Sequence, residues 1–441
     1  MTIQRYFCQP GSVIGGELSV PGDKSISHRA LMLGGIAEGE TEITGFLESE
    51  DCLATLAALR SLGVNIARFA GNRVVVHGVG PEGFNAPAAP LDMGNAGTAM
   101  RLFMGLLAGQ KFDSTLIGDS SLMKRPMERV AVPLRLMNAD ITTQNGTPPV
   151  QIRGGRQLKA IDYELPVASA QVKSALLLAA LRADGRTRVV EPAPTRDHTE
   201  RMLAQFGVEV LRNDRVVAIE GGQVLRGTRV EVPGDFSSAA FFMVLGCLAA
   251  KNGLTIRNVG VNPTRTGLLD MLVMMGADIR VRPKGTPEQQ GRFTGEPLAD
   301  IEVRASRLRG ITVPESLVPL SIDEFPVFFI AAACAEGETL VRGAHELRVK
   351  ESDRLAVMAE GLARLGVEHE LLPDGIWIRG GSGFSGGTID SHGDHRIAMS
   401  FAVASARAAG PLEIRDVANV ATSFPGFVNI ARSAGLQIDT V

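Results

Sequence analysis

Several cationic side chains stand where an apolar, helix-like segment begins. The first such place is residues 20–29, where a β-like run meets a Pro-Gly-Asp turn followed by Lys24, Ser25 and Arg29. Asp and Ser are good helix caps, and the unpaired N–H groups and dipole of a helix N-terminus attract anions. The pattern predicts a seat for a phosphate or carboxylate group; an ordinary capped helix with solvated charges is the alternative.

Three further helix starts carry groups suited to anions. Residues 94–101 form a Gly-rich entry, in which the backbone at Gly97 can approach a small anion closely. Arg125 directly precedes a proline that can open a helix, and arginine suits bidentate binding of phosphate or carboxylate. The segment from Ser169 to Lys173 offers neutral donors and one cation, which fits a phosphate ester with hydroxyl groups. A solvated arginine is as good a reading of Arg125 taken alone.

Carboxylates accompany the cations in the second half of the chain. Residues 348–354 hold five charges in seven positions at a helix start, and Asp323 lies one segment earlier. We expect Glu351 in the first helical turn, held ionised by the dipole and nearby cations, and Asp323 partly buried and able to act as a base. Residues 394–396, Asp-His-Arg, likewise open an apolar segment, which indicates that their charges face a cleft.

The elements that carry these residues recur along the chain. Nearly all-apolar helical segments start at 25, 95, 169, 237, 323 and 395, intervals of 70, 74, 68, 86 and 72 residues, and an amphipathic helical segment follows each one. The pattern predicts six βαβαββ repeats with the apolar helices buried. The longest interval contains residues 282–297, a stretch rich in Gly, Pro and Gln that we interpret as an exposed, mobile inserted loop.

The repeats divide into two sets of three. The sequence Val-Pro-Gly-Asp at 20–23 returns at 232–235, an offset of 212 residues. We therefore predict a two-domain inside-out α/β barrel, with residues 1–21 plus 235–441 in one domain, residues 22–234 in the other and the active site in the cleft between them. A repeat-built scaffold used only for binding is the structural alternative. The differing charges at the helix starts favour a composite active site.

Composition narrows the class of protein. The 441 residues have a net charge of −3 and no long apolar run, which argues against a nucleic-acid or membrane partner. Four widely spaced cysteines lack metal-binding spacing. So do five of the seven histidines, which fit surface or loop positions: His77, His198, His345, His369 and His392. No signal-peptide pattern, Walker loop or nucleotide fingerprint occurs. We expect a cytoplasmic, monomeric protein without metal or cofactor.

The motifs together resemble a known enzyme family. Residues 21–29, 94–101, 348–354 and 394–396 are similar to those of the 5-enolpyruvylshikimate-3-phosphate synthases, and the segments 169–171 and 195–198 resemble the branch that includes glyphosate-tolerant bacterial enzymes. The resemblance spans nearly the whole chain. It implies transfer of the enolpyruvyl group of phosphoenolpyruvate to the 5-hydroxyl of shikimate 3-phosphate, with release of phosphate, in the pathway to chorismate and the aromatic amino acids.

The resemblance also implies roles for individual residues. Those expected to hold shikimate 3-phosphate are Lys24, Ser25, Arg29, Ser169, Ala170, Gln171, Arg196, Asp323 and Lys350. Those expected to hold phosphoenolpyruvate are Lys24, Gly97, Arg125, Gln171, Arg354 and Arg396. The catalytic residues implied are Asp323, Glu351 and Lys24. Two places depart from the common pattern. Many members have a lysine just before a Thr-Phe-Pro near the C-terminus, whereas residues 421–425 have none in register, and Glu346 stands where many have a neutral amide.

Two alternatives and one inhibitor expectation complete the predictions. The sister enzyme UDP-N-acetylglucosamine 1-carboxyvinyltransferase uses a loop cysteine, and the matching loop here, residues 118–126, has none. A non-catalytic binding module built from the repeats is the other alternative.

Tolerant members of the family place an alanine methyl where this chain has Gly97, and sensitive members have proline at the position of Leu102. An alanine methyl would clash directly with glyphosate, whereas Leu102 acts only through a shift of the backbone. We therefore give Gly97 more weight than Leu102 and expect glyphosate to compete with phosphoenolpyruvate at intermediate potency.

Overall fold

The computed structural model describes residues 4–80, 83–284 and 295–441. These residues form two compact units. Unit 1 holds residues 4–21, 233–284 and 297–441, and unit 2 holds residues 22–80, 83–232 and 295–296. The unit boundaries at 21/22 and 232/233 lie within two residues of the predicted joints. That the units act as separate domains around an active site stays a prediction.

Twelve α-helices of at least seven residues occur in the described part of the chain. They are α1 (Lys24–Ile36), α2 (Glu50–Ser61), α3 (Gly97–Leu107), α4 (Glu128–Leu136), α5 (Ala170–Ala180), α6 (His198–Gln205), α7 (Phe236–Ala249), α8 (Gly267–Met274), α9 (Phe325–Cys334), α10 (Arg354–Arg364), α11 (His395–Ala404) and α12 (Phe427–Ser433). A short helical turn, Val318–Ser321, precedes α9.

The strands of the described residues are short. They are β1 (Arg5–Cys8), β2 (Gly16–Ser19), β3 (Glu40–Thr44), β4 (Asn65–Phe69), β5 (Arg73–His77), β6 (Leu91–Asp92), β7 (Ser114–Ile117), β8 (Asp140–Gln144), β9 (Thr147–Arg153), β10 (Leu158–Lys159), β11 (Asp162–Glu164), β12 (Ala183–Asp184), β13 (Arg186–Val190), β14 (Val210–Asn213), β15 (Val216–Glu220), β16 (Arg229–Glu231), β17 (Leu254–Gly260), β18 (Asp278–Pro283), β19 (Leu298–Arg304), β20 (Glu338–Val341), β21 (Glu368–Leu372), β22 (Gly375–Arg379), β23 (Gly387–Asp390), β24 (Leu412–Arg415) and β25 (Ile438–Thr440).

One sheet topology recurs in both units. An outer strand runs parallel to the second, the second is antiparallel to the third, and the third is antiparallel to the fourth, in the orders β16-β3-β5-β4, β6-β7-β9-β8, β11-β13-β15-β14, β2-β17-β19-β18 and β23-β24-β1-β25. A sixth sheet, β20-β22-β21, gains its parallel neighbour through the bridge between Thr312 and Leu340. The predicted βαβαββ repeat and the α/β fold are confirmed.

The opening strands of two repeats pair outside their own repeat. β2 precedes α1 in the chain but pairs with β17 of unit 1, and β16 precedes α7 but pairs with β3 of unit 2. Equivalent aspartates then cap the following helices: the carboxylate of Asp23 accepts from the N–H of Ile26, and that of Asp235 from the N–H of Ser238. Gly22 is required before the first cap, since a Cβ there would lie 1.9 Å from the carbonyl oxygen of Gly45.

Each unit has its own hydrophobic core. In unit 1 it forms around α7, α9 and α11, and in unit 2 around α1, α3 and α5. These six helices are the apolar segments of the six repeats, and nearly every residue of α7 and α9 is buried. The buried helices leave their N-terminal ends as the positions where polar side chains can gather.

The predicted inserted loop is partly wrong at its start. Arg282 and Pro283 belong to β18 and pair with β19, because the alternating pattern of the strand continues through them. Residues 285–294 of the predicted loop lie outside the described residues. The adjacent residues 295–296 belong to unit 2.

Helix α3 approaches α5 closely at a glycine, which gives a test of the packing. A Cβ on Gly105 would lie 2.1 Å from the carbonyl oxygen of Ala175, and this backbone atom cannot move aside as a side chain can. We expect Gly105→Ala to lower the free energy of unfolding by about 1–3 kcal/mol, despite the better helix propensity of alanine. Urea unfolding of the purified protein measures this change.

The matched control is Gly35→Ala in α1. The nearest atom to its added Cβ is Cδ2 of Leu59 at 3.3 Å, the end of a flexible side chain. Its free energy of unfolding should stay within about 1 kcal/mol of the parent value. Equal effects of the two substitutions would contradict the close backbone approach.

Candidate active site

The first residue of α1 is a lysine held by a carboxylate. The ammonium of Lys24 lies 2.9 Å from Oδ2 of Asp51, which stands in the first turn of α2. The lysine side chain is 19% exposed and the aspartate 7%. Lys24 is therefore pre-positioned at the N-terminus of α1, and its tip remains accessible to a ligand.

Arg29 is buried one turn further along α1. Its guanidinium donates to Thr199 Oγ1 at 2.7 Å, to Ser174 Oγ at 3.0 Å and to the carbonyl of Ser25 at 2.9 Å. All three acceptors are neutral oxygens. Burial lowers the pKa of Arg29 to about 10, against the carboxylates of Glu200 and Asp23, which raise it, and the charge of Arg196 lowers it further. An anionic ligand would supply the compensating charge.

A hydrogen-bond chain joins α3 to α5. Arg101 Nη1 donates to Gln171 Oε1 at 2.9 Å, and Gln171 Nε2 donates to Thr98 Oγ1 at 2.9 Å. Both bonds cross between helices whose N-terminal ends lie side by side. They fix the amide of Gln171 in one orientation, so its remaining hydrogen-bonding capacity has a defined direction.

Arg125 is held beside Gly97 at the start of α3. Its guanidinium donates to the side-chain oxygen of Asn95 at 2.5 Å, to the carbonyl of Asn95 at 3.2 Å and to Ser121 Oγ at 3.2 Å. A Cβ on Gly97 would lie 3.1 Å from Nη1 of Arg125 and 3.2 Å from Nη1 of Arg101. The absence of a side chain at Gly97 therefore leaves space next to two guanidinium groups.

The start of α5 agrees with the prediction except at its lysine. Ser169 is the N-cap, its hydroxyl accepting from the N–H of Val172, and Ala170 is the first helical residue. The ligand-facing cation predicted at Lys173 is wrong. Its side chain is fully buried, with its ammonium 2.7 Å from Glu200 and 2.9 Å from Glu191. Burial opposes its charge, but these carboxylates outweigh burial and raise the pKa of Lys173.

Arg354, the first residue of α10, organises the charges of unit 1. Its guanidinium donates to Asp394 at 2.8 Å, to Glu351 at 2.6 Å and to Asp323 at 3.4 Å. The arginine side chain is 1% exposed. Burial alone would lower its pKa, but the three carboxylates together raise the pKa of Arg354 above its usual value.

The two predicted proton-transfer carboxylates keep some exposure. The Asp323 side chain is 14% exposed and that of Glu351 24%, and the ammonium of Lys350 lies 3.5 Å from Asp323. The placement of Glu351 in the first helical turn is wrong. Asp353 is the N-cap of α10, so Glu351 precedes the helix, and its contact with Arg354 rather than the helix dipole orients it.

Arg396 is anchored on the segment that carries Asp323. Its Nη1 donates to the carbonyl of Asp323 at 3.0 Å and lies 3.8 Å from Glu324 Oε1. Glu324 is itself buried and accepts from the hydroxyl of Ser237, which also receives a 2.6 Å hydrogen bond from Arg265. The cation of α11 and the carboxylate before α9 are thus fixed to one another.

The predicted site residues fall into two groups at helix N-termini. The unit 2 cluster is Lys24, Ser25, Arg29, Gly97, Arg125, Ser169, Ala170, Gln171 and Arg196. The unit 1 cluster is Asp323, Lys350, Glu351, Arg354 and Arg396. Sequence reasoning missed Asp51, the carboxylate that holds Lys24, and did not predict that Glu324 and Asp394 contact Arg396 and Arg354. The charge of Asp394 was expected to face a cleft, but this residue is buried, caps α11 and accepts from Arg354.

Other expectations concern the histidines, metals and membranes. The surface or loop role expected for His198 is wrong, because it is buried in α6 with Nδ1 2.7 Å from Glu296.

In the described residues, no three His, Cys, Asp or Glu are arranged to hold a metal ion. None of the helices in residues 4–80, 83–284 and 295–441 has the length and apolar character needed to span a bilayer.

Comparisons with known proteins agree over the full chain. The sequence profile of EPSP synthase (3-phosphoshikimate 1-carboxyvinyltransferase) matches residues 8–430. Proteins named 3-phosphoshikimate 1-carboxyvinyltransferase from Alkalilimnicola ehrlichii and Methylococcus capsulatus are each 59% identical over 98% of this chain, covering 96% and 97% of their own lengths.

A solved structure gives the same result. The EPSP synthase of Acinetobacter baumannii superimposes with a TM-score of 0.88 at 53% identity, covering 99% of this chain and 100% of that one. The profile match, the full-length relatives and the shared fold agree with the residues gathered at the helix N-termini. The chain therefore belongs to the EPSP synthase family.

Proposed function

We propose that this protein transfers the enolpyruvyl group of phosphoenolpyruvate to the 5-hydroxyl of shikimate 3-phosphate and releases phosphate. The reaction forms a C–O bond to the enol carbon and protonates the methylene carbon; it then breaks the C–O bond to phosphate and removes a proton from the new methyl group. Membership of the family and the names of the full-length relatives support this activity. The product serves the shikimate pathway to chorismate and the aromatic amino acids.

The observation that carries the mechanism is the pair of carboxylates on one guanidinium. Asp323 and Glu351 both contact Arg354, at 3.4 and 2.6 Å, and both keep part of their surface exposed. The reaction needs a base at the hydroxyl and an acid at the methylene carbon. In our proposal Asp323 removes the hydroxyl proton, Glu351 exchanges the proton of the methylene carbon, and Lys24 neutralises the charge of the departing phosphate.

Shikimate 3-phosphate is assigned mainly to the unit 2 cluster. Arg29 has only neutral hydrogen-bond acceptors among the described residues, so a substrate carboxylate would offset its charge. Ser169, Ala170 and Gln171 form the N-terminal end of α5, and a helix N-terminus suits a phosphate group. Arg196, Ser25 and Lys24 complete this set, and Asp323 and Lys350 are assigned to the hydroxyl that reacts.

Phosphoenolpyruvate is assigned to arginines from both units. Arg125 stands beside Gly97, whose lack of a side chain lets a compact anion approach the backbone. Arg354 and Arg396 would bind further oxygens of its phosphate or carboxylate, since each can donate two hydrogen bonds in parallel. Gln171 and Lys24 are assigned to both substrates in this proposal.

Localisation, oligomeric state and the absence of macromolecular partners are also part of the proposal. We infer that the protein acts as a cytoplasmic monomer without nucleic-acid or membrane partners. The net charge of −3 includes both signs throughout, without a basic stretch suited to nucleic acid. Three of its four cysteines are buried as free thiols and the fourth is partly buried, which fits a reducing compartment.

The direct test is phosphate release from phosphoenolpyruvate with two acceptors. We expect release with shikimate 3-phosphate and none above background with UDP-N-acetylglucosamine. Release with the nucleotide sugar alone would assign the protein to the sister reaction. If neither acceptor supports release, yet both ligands bind, the non-catalytic alternative is correct.

Removing the proposed base should reduce turnover without abolishing binding. We expect Asp323→Asn and Glu351→Gln each to lower kcat by about 10²–10⁴-fold, the range found for general acid–base groups. Shikimate 3-phosphate should still bind Asp323→Asn, because the unit 2 cluster is unchanged. Steady-state kinetics and calorimetry measure the two effects.

The matched control for the carboxylates is Asp353→Asn. Asp353 lies between Glu351 and Arg354 in sequence, but its carboxylate caps α10 and pairs with Arg348. Asparagine caps a helix as well as aspartate does, so the variant should keep nearly the parent stability, with kcat close to the parent value. Near-normal turnover in both Asp323→Asn and Glu351→Gln would refute the assignment of proton transfer.

A methyl group at Gly97 should separate glyphosate from phosphoenolpyruvate. We propose that glyphosate competes with phosphoenolpyruvate at intermediate potency, and that this longer molecule uses the space beside Gly97. The Cβ of Gly97→Ala would press on guanidinium nitrogens at 3.1 and 3.2 Å. We expect the inhibition constant of glyphosate to rise at least about tenfold, since one displaced charge-assisted hydrogen bond is worth that much, with a smaller rise in KM for phosphoenolpyruvate.

The KM for shikimate 3-phosphate is the internal control for this substitution, because its proposed ligands do not include Gly97. It should stay close to the parent value. If the parent enzyme is unaffected by millimolar glyphosate, or if the alanine variant is inhibited equally well, the local-space argument is wrong.

A further inference from the structure

Unit 2 contains a cavity far from the N-terminal ends of its buried helices. The cavity has a volume of about 430 Å³ and is lined by residues that end or follow α1, α3 and α5. Ile36, at its wall, is the last residue of α1, whereas Lys24 is the first. Thirteen helical residues separate the two ends by about 18 Å. The cavity is therefore distinct from the unit 2 cluster.

The three repeats of unit 2 contribute equivalent segments to the cavity. Residues 109–111 follow α3, residues 181–182 follow α5, and residues 155–157 and 222–225 follow the hairpins of the second and third repeats. The cavity is thus the place where the three repeats converge beyond their buried helices. Its volume lies within the range of pockets that hold small organic molecules.

The charge of the cavity wall has one sign. Lys111, Arg156 and Arg182 line it, and none of the described lining residues is Asp or Glu. Arg156 is paired with Asp140 at 3.1 Å, which leaves Lys111 and Arg182 to set the local charge. Such an excess is notable in a chain whose net charge is −3.

Arg182 has no partner for its charge within the described residues. Its guanidinium makes neither a hydrogen bond nor an ion pair there, although the side chain is half-buried. Burial is the cause that lowers the pKa of Arg182, with no carboxylate opposing it. By contrast, the buried Arg29, Arg101 and Arg125 of the same unit all donate to fixed oxygens. A partly buried charge gains more from an anionic partner than a fully solvated charge does, because the surrounding dielectric constant is lower.

A helix dipole explains only part of this arrangement. The C-terminal end of α5 carries partial negative charge and favours a nearby cation, and Arg182 directly follows its C-cap, Leu181. That effect requires no cavity and is satisfied equally by a cation in solvent. It also does not account for a second free cation, Lys111, after α3.

We propose that this cavity binds a small organic anion through a phosphate or carboxylate group, with Arg182 as the main contact and Lys111 adding positive charge. The guanidinium presents parallel N–H donors that match such an oxyanion. The remaining volume accommodates the body of the molecule. The site is separate from the proposed substrate-binding residues, so it can be occupied together with them.

The test uses selenate as the probe, because selenium can be located by anomalous scattering. Crystals of the full chain are soaked at a series of selenate concentrations. We expect an anomalous peak about 4 Å from the guanidinium nitrogens of Arg182, because a selenate oxygen at hydrogen-bond distance lies between nitrogen and selenium. In Arg182→Gln, its apparent dissociation constant should rise about tenfold or more, because a charge-assisted contact is lost. Selenate bound at the unit 2 cluster serves as an internal reference.

The matched control is Arg68→Gln, which removes an exposed arginine of unit 2 paired with Glu48 outside the cavity. Its soaks should reproduce the parent peak. A second arm adds an excess of glycerol 3-phosphate or of succinate to the selenate soak. Displacement by the first identifies a phosphate ester as the ligand class, and displacement by the second identifies a carboxylate.

Three results would overturn the proposal. The first is the absence of a selenate peak at Arg182 in the parent crystals. The second is a peak of unchanged occupancy in Arg182→Gln, which would mean an adventitious ion only. The third is failure of both organic anions to displace selenate. A lysine substitution, Lys111→Gln, provides a second variant whose selenate affinity should also fall.

Discussion

The constraint on which this protein depends is the burial of many positive charges close to one another. Two highly anionic substrates require several cations, yet a buried cation without compensation is unstable by several kcal/mol. The protein resolves this with partners fixed before any ligand arrives. Arg354 is surrounded by three carboxylates, Arg396 contacts the carbonyl of Asp323, and Arg29 is held by hydroxyl groups. The charge of these partners determines how much of the positive charge of each arginine remains to attract a ligand.

This compensation differs between the units. In unit 1 three carboxylates surround Arg354, and two of them, Asp323 and Glu351, are the groups proposed to move protons. In unit 2 the hydrogen-bond acceptors of Arg29 are neutral oxygens, so its charge remains available to an anion. The first arrangement favours chemistry on a bound molecule and the second favours binding. The repeats supply both on the same scaffold, because each buried helix presents an N-terminus whose side chains can vary without disturbing the core.

The sequence predicted the features that depend on neighbouring residues. The caps Asp23 and Asp235, the alternation of apolar and amphipathic helices and the repeat boundaries are all local patterns. The resemblance to a family carried the candidate site residues. What could not be predicted is contact across the chain. Arg29 meets Thr199 at a separation of 170 residues, and Arg354 meets Asp394 at 40. Lys173 is an example: its sequence neighbours suggest a ligand-binding cation, but its side chain is buried and pairs with Glu191 and Glu200.

The pairing of β1 with β24 and β25 determines the order in which the units can be completed during synthesis. Arg5 contacts Glu413, 408 residues later, and strand β1 has no partner until β24 has left the ribosome. At usual translation rates this delay is on the order of half a minute. Unit 2, by contrast, receives its closing strand β16 about halfway through translation. The buried faces of Tyr6 and Cys8 therefore stay uncovered throughout most of synthesis, and unit 1 is where a nascent chain depends most on protection from aggregation.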